Sequence, residues 1–263
     1  MSRTLVMGVL NVTPDSFSDG GRWLDPRRAL RHGRAMARRG ADLIDVGGES
    51  TRPGARAVSV KEELRRVVPV VEALAAGGIR VSIDTSKAAV AEAALRAGAT
   101  MVNDVTALRG DPGMGRVCAR AAADVVLMHM KGTPRTMQRA PRYADVVADI
   151  SSFFRKRLTF ALRQGIARDK IFLDPGIGFG KTPEHNVEIL RRLEEFRGLG
   201  FPLLVGTSRK SFIGRALGGR APDDRVFGTA ATVAAAVLRG AAIVRVHDVR
   251  EMSDVVRVSD LMR

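Results

Sequence analysis

Leu5-Val6-Met7-Gly8-Val9-Leu10-Asn11-Val12-Thr13-Pro14-Asp15 is an apolar run of strand length that ends on an amide and opens into a polar turn. An open, doubly wound sheet usually places a glycine-rich dinucleotide loop after its first strand. Here the strand runs into Asn11, Thr13 and Asp15 instead. That ending favours a closed barrel, whose catalytic groups gather at the C-terminal ends of the strands.

The rest of the chain repeats the pattern. Apolar runs at Leu43 to Val46, Ile79 to Ile83, Thr100 to Val102, Val125 to Met128, Ile171 to Leu173, Leu203 to Val205 and Ile243 to Val246 alternate with longer helical stretches. Such alternation predicts βαβ units and a parallel sheet. Three helical faces can be read from the 3.6-residue period. They are Val60, Leu64, Val67, Val71 and Leu74; then Val147, Ile150, Phe154, Leu158 and Ala161; then Val187, Leu190 and Leu193 with Phe196 close by. Gly40, Gly78 and Gly98 sit just past helical stretches, where a left-handed cap costs glycine little. The chain has 263 residues and no internal linker, and one (β/α)8 domain takes about 250. The expectation is a single-domain α/β protein, a (β/α)8 TIM barrel over residues 1–263.

Composition bounds the function. The chain is 45% hydrophobic, enough for a substantial core. No apolar run of about 18 residues is present, so no membrane segment is expected. The N-terminus has no basic region and no cleavage site, unlike a signal peptide. The one cysteine, Cys118, permits no intrachain disulfide and reads as an inert packing thiol. These points favour a cytoplasmic enzyme. The net charge of +15 invites a nucleic-acid partner. Its distribution argues otherwise: Arg27, Arg31, Arg34 and Arg38 fall on one solvated helical stripe, and 36 Arg stand against 7 Lys with no aromatic stacking platform. A positive field is better matched to a small anionic substrate.

The candidate site lies in the strand ends. In order they offer Asn11; Asp45 with Glu49-Ser50-Thr51-Arg52; Asp84-Thr85; Asn103-Asp104; His129; Asp174; Ser208-Arg209-Lys210; and Arg245-Val246-His247-Asp248. The opposite ends offer mostly Ala, Gly and Arg. Arg245 and His247 are two residues apart on one strand and so point to the same side. Together with Asn11 they form either an anion pocket, whose amide oxygen could also ligate Mg2+, or a structural pair. The segments Thr13 to Gly21 and Gly47 to Gly54 read either as lids or as plain surface loops. Asp174-Pro175-Gly176-Ile177-Gly178-Phe179-Gly180-Lys181 is glycine-rich but lacks the spacing of a phosphate loop. Phe179, between two glycines, suggests a ring flanking a planar ligand. His129 is a core histidine or a wall of the site, and His32 and His185 fall on helices and read as exposed.

These residues resemble a known family. Asn11 to Gly21 resembles the first signature of dihydropteroate synthases, and Glu49-Ser50-Thr51-Arg52-Pro53-Gly54 their second. Ile83-Asp84-Thr85, Asn103-Asp104, Asp174 to Lys181, Ser208 to Ser211 and Arg245 to Asp248 follow in family order. The resemblance implies condensation of 6-hydroxymethyl-7,8-dihydropterin diphosphate with p-aminobenzoate, by an SN1-like, Mg2+-assisted path, giving dihydropteroate and diphosphate for folate biosynthesis. It implies a pterin site at Asp84, Asn103, Met128, Asp174, Phe179 and Lys210. Phe17, Thr51, Arg52, Pro53 and Ser211 would frame p-aminobenzoate. Asn11, Arg245 and His247 would hold diphosphate, with Asn11 on the metal and Asp15 assisting it. Asp15, Lys210, Arg245 and His247 would be the catalytic set. The resemblance also implies a homodimer formed through outer helices near the C-terminal part of the barrel. Two other readings keep the fold: a methyltetrahydrofolate–corrinoid methyltransferase, and an inactive pterin-binding paralogue.

Overall fold

The computed structural model describes residues 3–13, 25–51, 54–55 and 57–263. Eight parallel strands close into a barrel in chain order, with β1 paired to both β2 and β8. The strands are β1 (Leu5–Asn11), β2 (Leu43–Gly47), β3 (Val81–Asp84), β4 (Met101–Asp104), β5 (Asp124–Met128), β6 (Ile171–Asp174), β7 (Leu203–Val205) and β8 (Ala241–Val246). Around them lie α1 (Pro26–Arg38), α2 (Val60–Ala75), α3 (Ala88–Arg96), α4 (Met114–Arg120) and α5 (Val146–Arg163). They are followed by α6 (Pro183–Arg191), α7 (Ser211–Ala216), α8 (Val226–Leu238) and α9 (Val249–Leu261). The expected (β/α)8 barrel is the observed one. No helix among the described residues is long and apolar enough to cross a membrane.

Strand parity divides the core in two, because successive side chains point to opposite faces of a sheet. Met7, Leu43, Met101, Val126, Leu204 and Ile243 form one buried cluster inside the barrel. Residues one step out of phase, such as Val6, Ile44, Val102, Leu127 and Val244, belong to a larger cluster shared with the helices. The strand boundaries differ from the sequence reading by at most two residues. Ile79 gives its N–H to the Leu74 carbonyl at the end of α2, so the ladder of β3 begins only at Val81.

Two helical faces turn relative to expectation. On α2 the buried stripe is Glu63, Val67, Val70, Val71 and Leu74, while Val60 is exposed and Leu64 only half-buried. Val60 is the first residue of the helix, just after the Ser59 cap that accepts the Glu62 N–H, and it sits outside the packed turns. Val187 on α6 is exposed because Asn186 and Ile189 take the buried side. The α5 face, by contrast, is fully buried at Val147, Ile150, Phe154, Leu158 and Ala161. Gly40, Gly78 and Gly98 all take positive φ after their helices, as the cap geometry requires. Arg27, Arg31, Arg34 and Arg38 are exposed. His32 and His185 are half-buried rather than exposed; His185 completes the capping box of α6 with Thr182.

Cys118 lies on the buried face of α4, and burial pushes its thiol up to about 12. A thiol held protonated and enclosed is a poor nucleophile. Native protein is expected to give no reaction with a disulfide reagent over an hour at pH 8, and one thiol per chain after denaturation. Rapid labelling of the native protein would show that α4 opens readily.

Candidate active site

The inward parity that builds the floor continues one step further up six of the eight strands. Leu43 is followed on the same face by Asp45, Ser82 by Asp84, Met101 by Asn103, Val126 by Met128, Phe172 by Asp174 and Ile243 by Arg245. The register sets these ends close in height, with Asp84 opposite Asn103 and Met128 opposite Asp174. An apolar plug therefore carries a polar layer at the C-terminal mouth.

Within that layer the groups are already paired. Asp45, with no exposed surface, receives Asn103 Nδ2 at 2.9 Å and Arg245 Nε at 2.6 Å on its Oδ2. Arg245 Nη2 reaches Asp84 Oδ2 at 2.9 Å. One guanidinium thus bridges two buried carboxylates. Burial raises Asp84 to about 7; Arg245 opposes the rise, while Asp45, Glu63 and Asp104 add to it. Burial likewise raises Asp174 to about 6, against the Gly176 N–H at 2.7 Å and the cations Lys210, Lys181 and Arg245. These acids are poised near neutrality, which is characteristic of working sites.

A cavity of about 310 Å³ opens above this layer. Asn11, Thr51, Asp84, Lys210, Ser211, Arg245 and His247 line it. Asn103, Met128, Asp174 and Phe179 sit at or near the ends of the adjoining strands, three of them buried and Phe179 half-buried. Lys210 Nζ lies 4.2 Å from the centre of the Phe179 ring. Phe179 in turn packs on a cluster of Val105, Met128, Met130 and Met137. His247 Nδ1 lies 3.0 Å from Ser208 Oγ, which also accepts the His247 backbone N–H. Asp15, Phe17, Arg52 and Pro53 lie outside the described residues.

The loops that carry these groups are braced by residues the sequence reading did not assign. In the turn from Asp174 to Lys181 three amides already have partners: Gly176 N–H on Asp174 Oδ1, Phe179 N–H on the Gly176 carbonyl and Gly178 N–H on Asn186 Oδ1 of α6. Gln138 and Tyr143 hold the Gly178 and Gly180 carbonyls. It is a scaffold for Phe179, not a phosphate cradle. Gly176 has φ +70, and a Cβ there would stand 2.0 Å from the His129 carbonyl oxygen, so only glycine fits. His129 proves to be a core residue: Lys181 Nζ lies 2.9 Å from its Nδ1, and burial, with Lys181 beside it, lowers the imidazole to about 2. Burial also lowers Lys181 to about 7. Arg209 has φ +60 and is clamped by Asp248 and Asp223, while Arg225 holds its carbonyl. It fixes the turn that presents Lys210. The buried Glu63 was also missed, although its spacing with Val67, Val70, Val71 and Leu74 continues the same helical face.

A barrel with a carboxylate-and-amide layer beside a cationic seat defines a class of enzymes for small polar heterocycles carrying an anion. The chain matches the family described as pterin binding enzyme over residues 7–247. It is 49% identical to the dihydropteroate synthase of Synechocystis over 99% of this chain and 90% of that one. It is 48% identical to the Escherichia coli dihydropteroate synthase over 98% and 91%. Among solved structures, the Yersinia pestis dihydropteroate synthase in a sulfonamide drug complex aligns with a TM-score of 0.97 at 48% identity, covering 99% of this chain and 94% of that one. The Xanthomonas albilineans enzyme with 4-aminobenzoic acid aligns with a TM-score of 0.92 at 47% identity, covering 99% and 93%. The chain belongs to the pterin-binding enzyme family and, within it, to the dihydropteroate synthases.

Proposed function

We propose that this chain joins 6-hydroxymethyl-7,8-dihydropterin diphosphate to p-aminobenzoate, forming 7,8-dihydropteroate and releasing diphosphate. The observation that carries the reading is the contiguity of two unlike surfaces in one mouth. Asp84, Asn103 and Asp174 offer acceptors and an amide for a 2-amino-4-oxo ring edge. Arg245 and Lys210 supply positive charge beside them, and the His247 ring adds a hydrogen-bonding group to the same cavity wall.

Chemically, the bond from the exocyclic methylene carbon to the diphosphate oxygen breaks, and the diphosphate leaves with the electron pair. The neutral arylamine nitrogen then donates its lone pair to that carbon and loses a proton to the departing diphosphate or to solvent. Arg245 and His247 oppose the growing negative charge, which lowers the barrier where charge develops. The methylene cation conjugates with the pterin ring, so the path is SN1-like, and exclusion of water by the loops preserves it. Lys210 and Phe179 bound the ring, and Thr51 and Ser211 bound the arylamine.

Magnesium fits this site as a companion of the diphosphate. Among the described residues no group of three His, Cys, Asp or Glu could hold a metal, and Mg2+ commonly takes one or two protein oxygens plus phosphates and water. Asn11, which lines the cavity, would supply one such oxygen, with Asp15 assisting the metal. When bound, the ion would neutralise diphosphate charge.

The same reading takes the chain as a cytoplasmic homodimer. Phe227 on α8, 82% exposed, and Leu261 on α9, 88% exposed, give the outer helices of the C-terminal part apolar surface for a second copy. A corrinoid methyltransferase would have no use for the Arg245 and His247 seat. Steady-state kinetics tests the assignment: turnover should saturate with p-aminobenzoate, and a sulfonamide should raise its apparent KM without changing kcat. Turnover indifferent to p-aminobenzoate would refute it.

A further inference from the structure

Glu63 is a carboxylate with no exposed surface, carried on the barrel-facing stripe of α2. An unpaired charge there would be strongly destabilising. Thr85 Oγ1 lies 2.7 Å from Glu63 Oε1, and Lys87 Nζ forms an ion pair with Oε2. The same ammonium also forms an ion pair with Glu49, the residue that follows Gly48 past the end of β2. Burial would lower the Lys87 ammonium, but the hydrogen bonds to Glu49 and Glu63 prevail and raise it.

Glu49 has a second task. Its Oε1 accepts the Val58 N–H at 3.1 Å, so one carboxylate joins the two sides of the neck between residues 49 and 58. One residue earlier, Arg66 Nη1 holds the Gly48 carbonyl at 2.9 Å. Glu49, Ser50 and Thr51 then line the cavity. Lys87 follows three residues after Asp84, so it couples the neck of this loop to the strand that carries a pocket acid.

We infer that Lys87 is a positioning residue for the second substrate: by fixing the Glu49 carboxylate, it locks the neck of the loop that presents Thr51 to the arylamine. This rests on the function proposed above. A purely structural Lys87, present only to neutralise Glu63, would leave Glu49 to hold the Val58 N–H by itself. The two cases therefore separate on whether the effects of Glu49→Met and Lys87→Met on KM coincide in the double variant or multiply.

The test compares wild type, Glu49→Met, Lys87→Met, Lys87→Arg and the Glu49→Met/Lys87→Met double variant. KM for p-aminobenzoate, kcat, direct binding of dihydropterin diphosphate and Tm are measured for each. Groups acting as one unit give non-additive effects. Glu49→Met and Lys87→Met should each raise KM for p-aminobenzoate about tenfold, and the double variant no further. Affinity for dihydropterin diphosphate should stay within about twofold of wild type, kcat should change little, and Lys87→Arg should restore most of the effect. An unchanged KM in Glu49→Met would overturn the inference, as would single effects that multiply in the double variant. If Lys87→Met does not fold, the same cycle is run with Lys87→Gln, which keeps a donor for Glu63. An inactive wild type would instead overturn the proposed function, so the two failures are distinguishable.

Discussion

Replacing Asp174 by Asn is expected to weaken dihydropterin binding by roughly 10³-fold while raising the melting temperature at pH 8. Two N–H bonds from a ring edge to a carboxylate are worth about 1.5–3 kcal/mol each, and a neutral amide cannot accept both. The stability change has the opposite sign. Burial raises the Asp174 carboxyl to about 6 in the folded state. A carboxyl raised above its unfolded value binds more protons when folded, so its ionisation removes stability as pH climbs from about 4 to 6. Above that range the Asp174→Asn variant avoids the penalty entirely. Calorimetric titration and thermal unfolding of the same sample test both halves. Normal pterin affinity would remove Asp174 from the site, and a lower melting temperature at pH 8 would show that its charge is fully compensated.

Arg245→Met should cost more, because Arg245 serves both the fold and the reaction. Its guanidinium bridges Asp45 and Asp84, and stripping one partner from a buried pair costs about 3–5 kcal/mol. Asp84, already raised to about 7, would rise further without its cation. At pH 5 the acid is protonated in both proteins and much of the difference disappears. Above pH 7 wild type ionises it beside Arg245, whereas the variant must either hold the proton or unfold. The stability gap should therefore widen as pH increases from 5 to 8. In turnover, loss of the charge facing the leaving diphosphate should lower kcat by about 10²–10³-fold. Arg245→Lys tests the geometry separately, since an ammonium lacks the planar fork that presents Nε to Asp45 and Nη2 to Asp84. A stability gap constant with pH would show that Asp84 does not depend on Arg245.

The barrel was legible because its signals are local. Each strand is a short apolar run, and five of them carry, at or just before the end, a polar residue (Asp45, Asp84, Asn103, Asp174 or Arg245) whose inward direction follows from parity with Leu43, Met101 or Ile243. The candidate site was legible as a list of strand ends, and Asn11, Asp84, Lys210, Arg245 and His247 do meet at one cavity. The connections between them were not legible. Arg245 and Asp45 are 200 residues apart, and Lys181 and His129 are 52 apart. No periodicity carries such pairings. For the same reason the sequence leaves His129 undecided between core and site wall, and only the packing of Lys181 against it settles the matter. On α2 the apolar count favoured Val60 and Leu64, whereas the packed stripe includes Glu63, because a charge with partners can occupy a core position that composition alone would deny it.

The most direct test of the two-surface mouth is the stoichiometry of diphosphate release. With both dihydropterin diphosphate and p-aminobenzoate present, one diphosphate should appear for each dihydropteroate formed, and omission of p-aminobenzoate should reduce release to a slow background. Release that continues unchanged without p-aminobenzoate, or no release with both substrates present, would contradict the assignment.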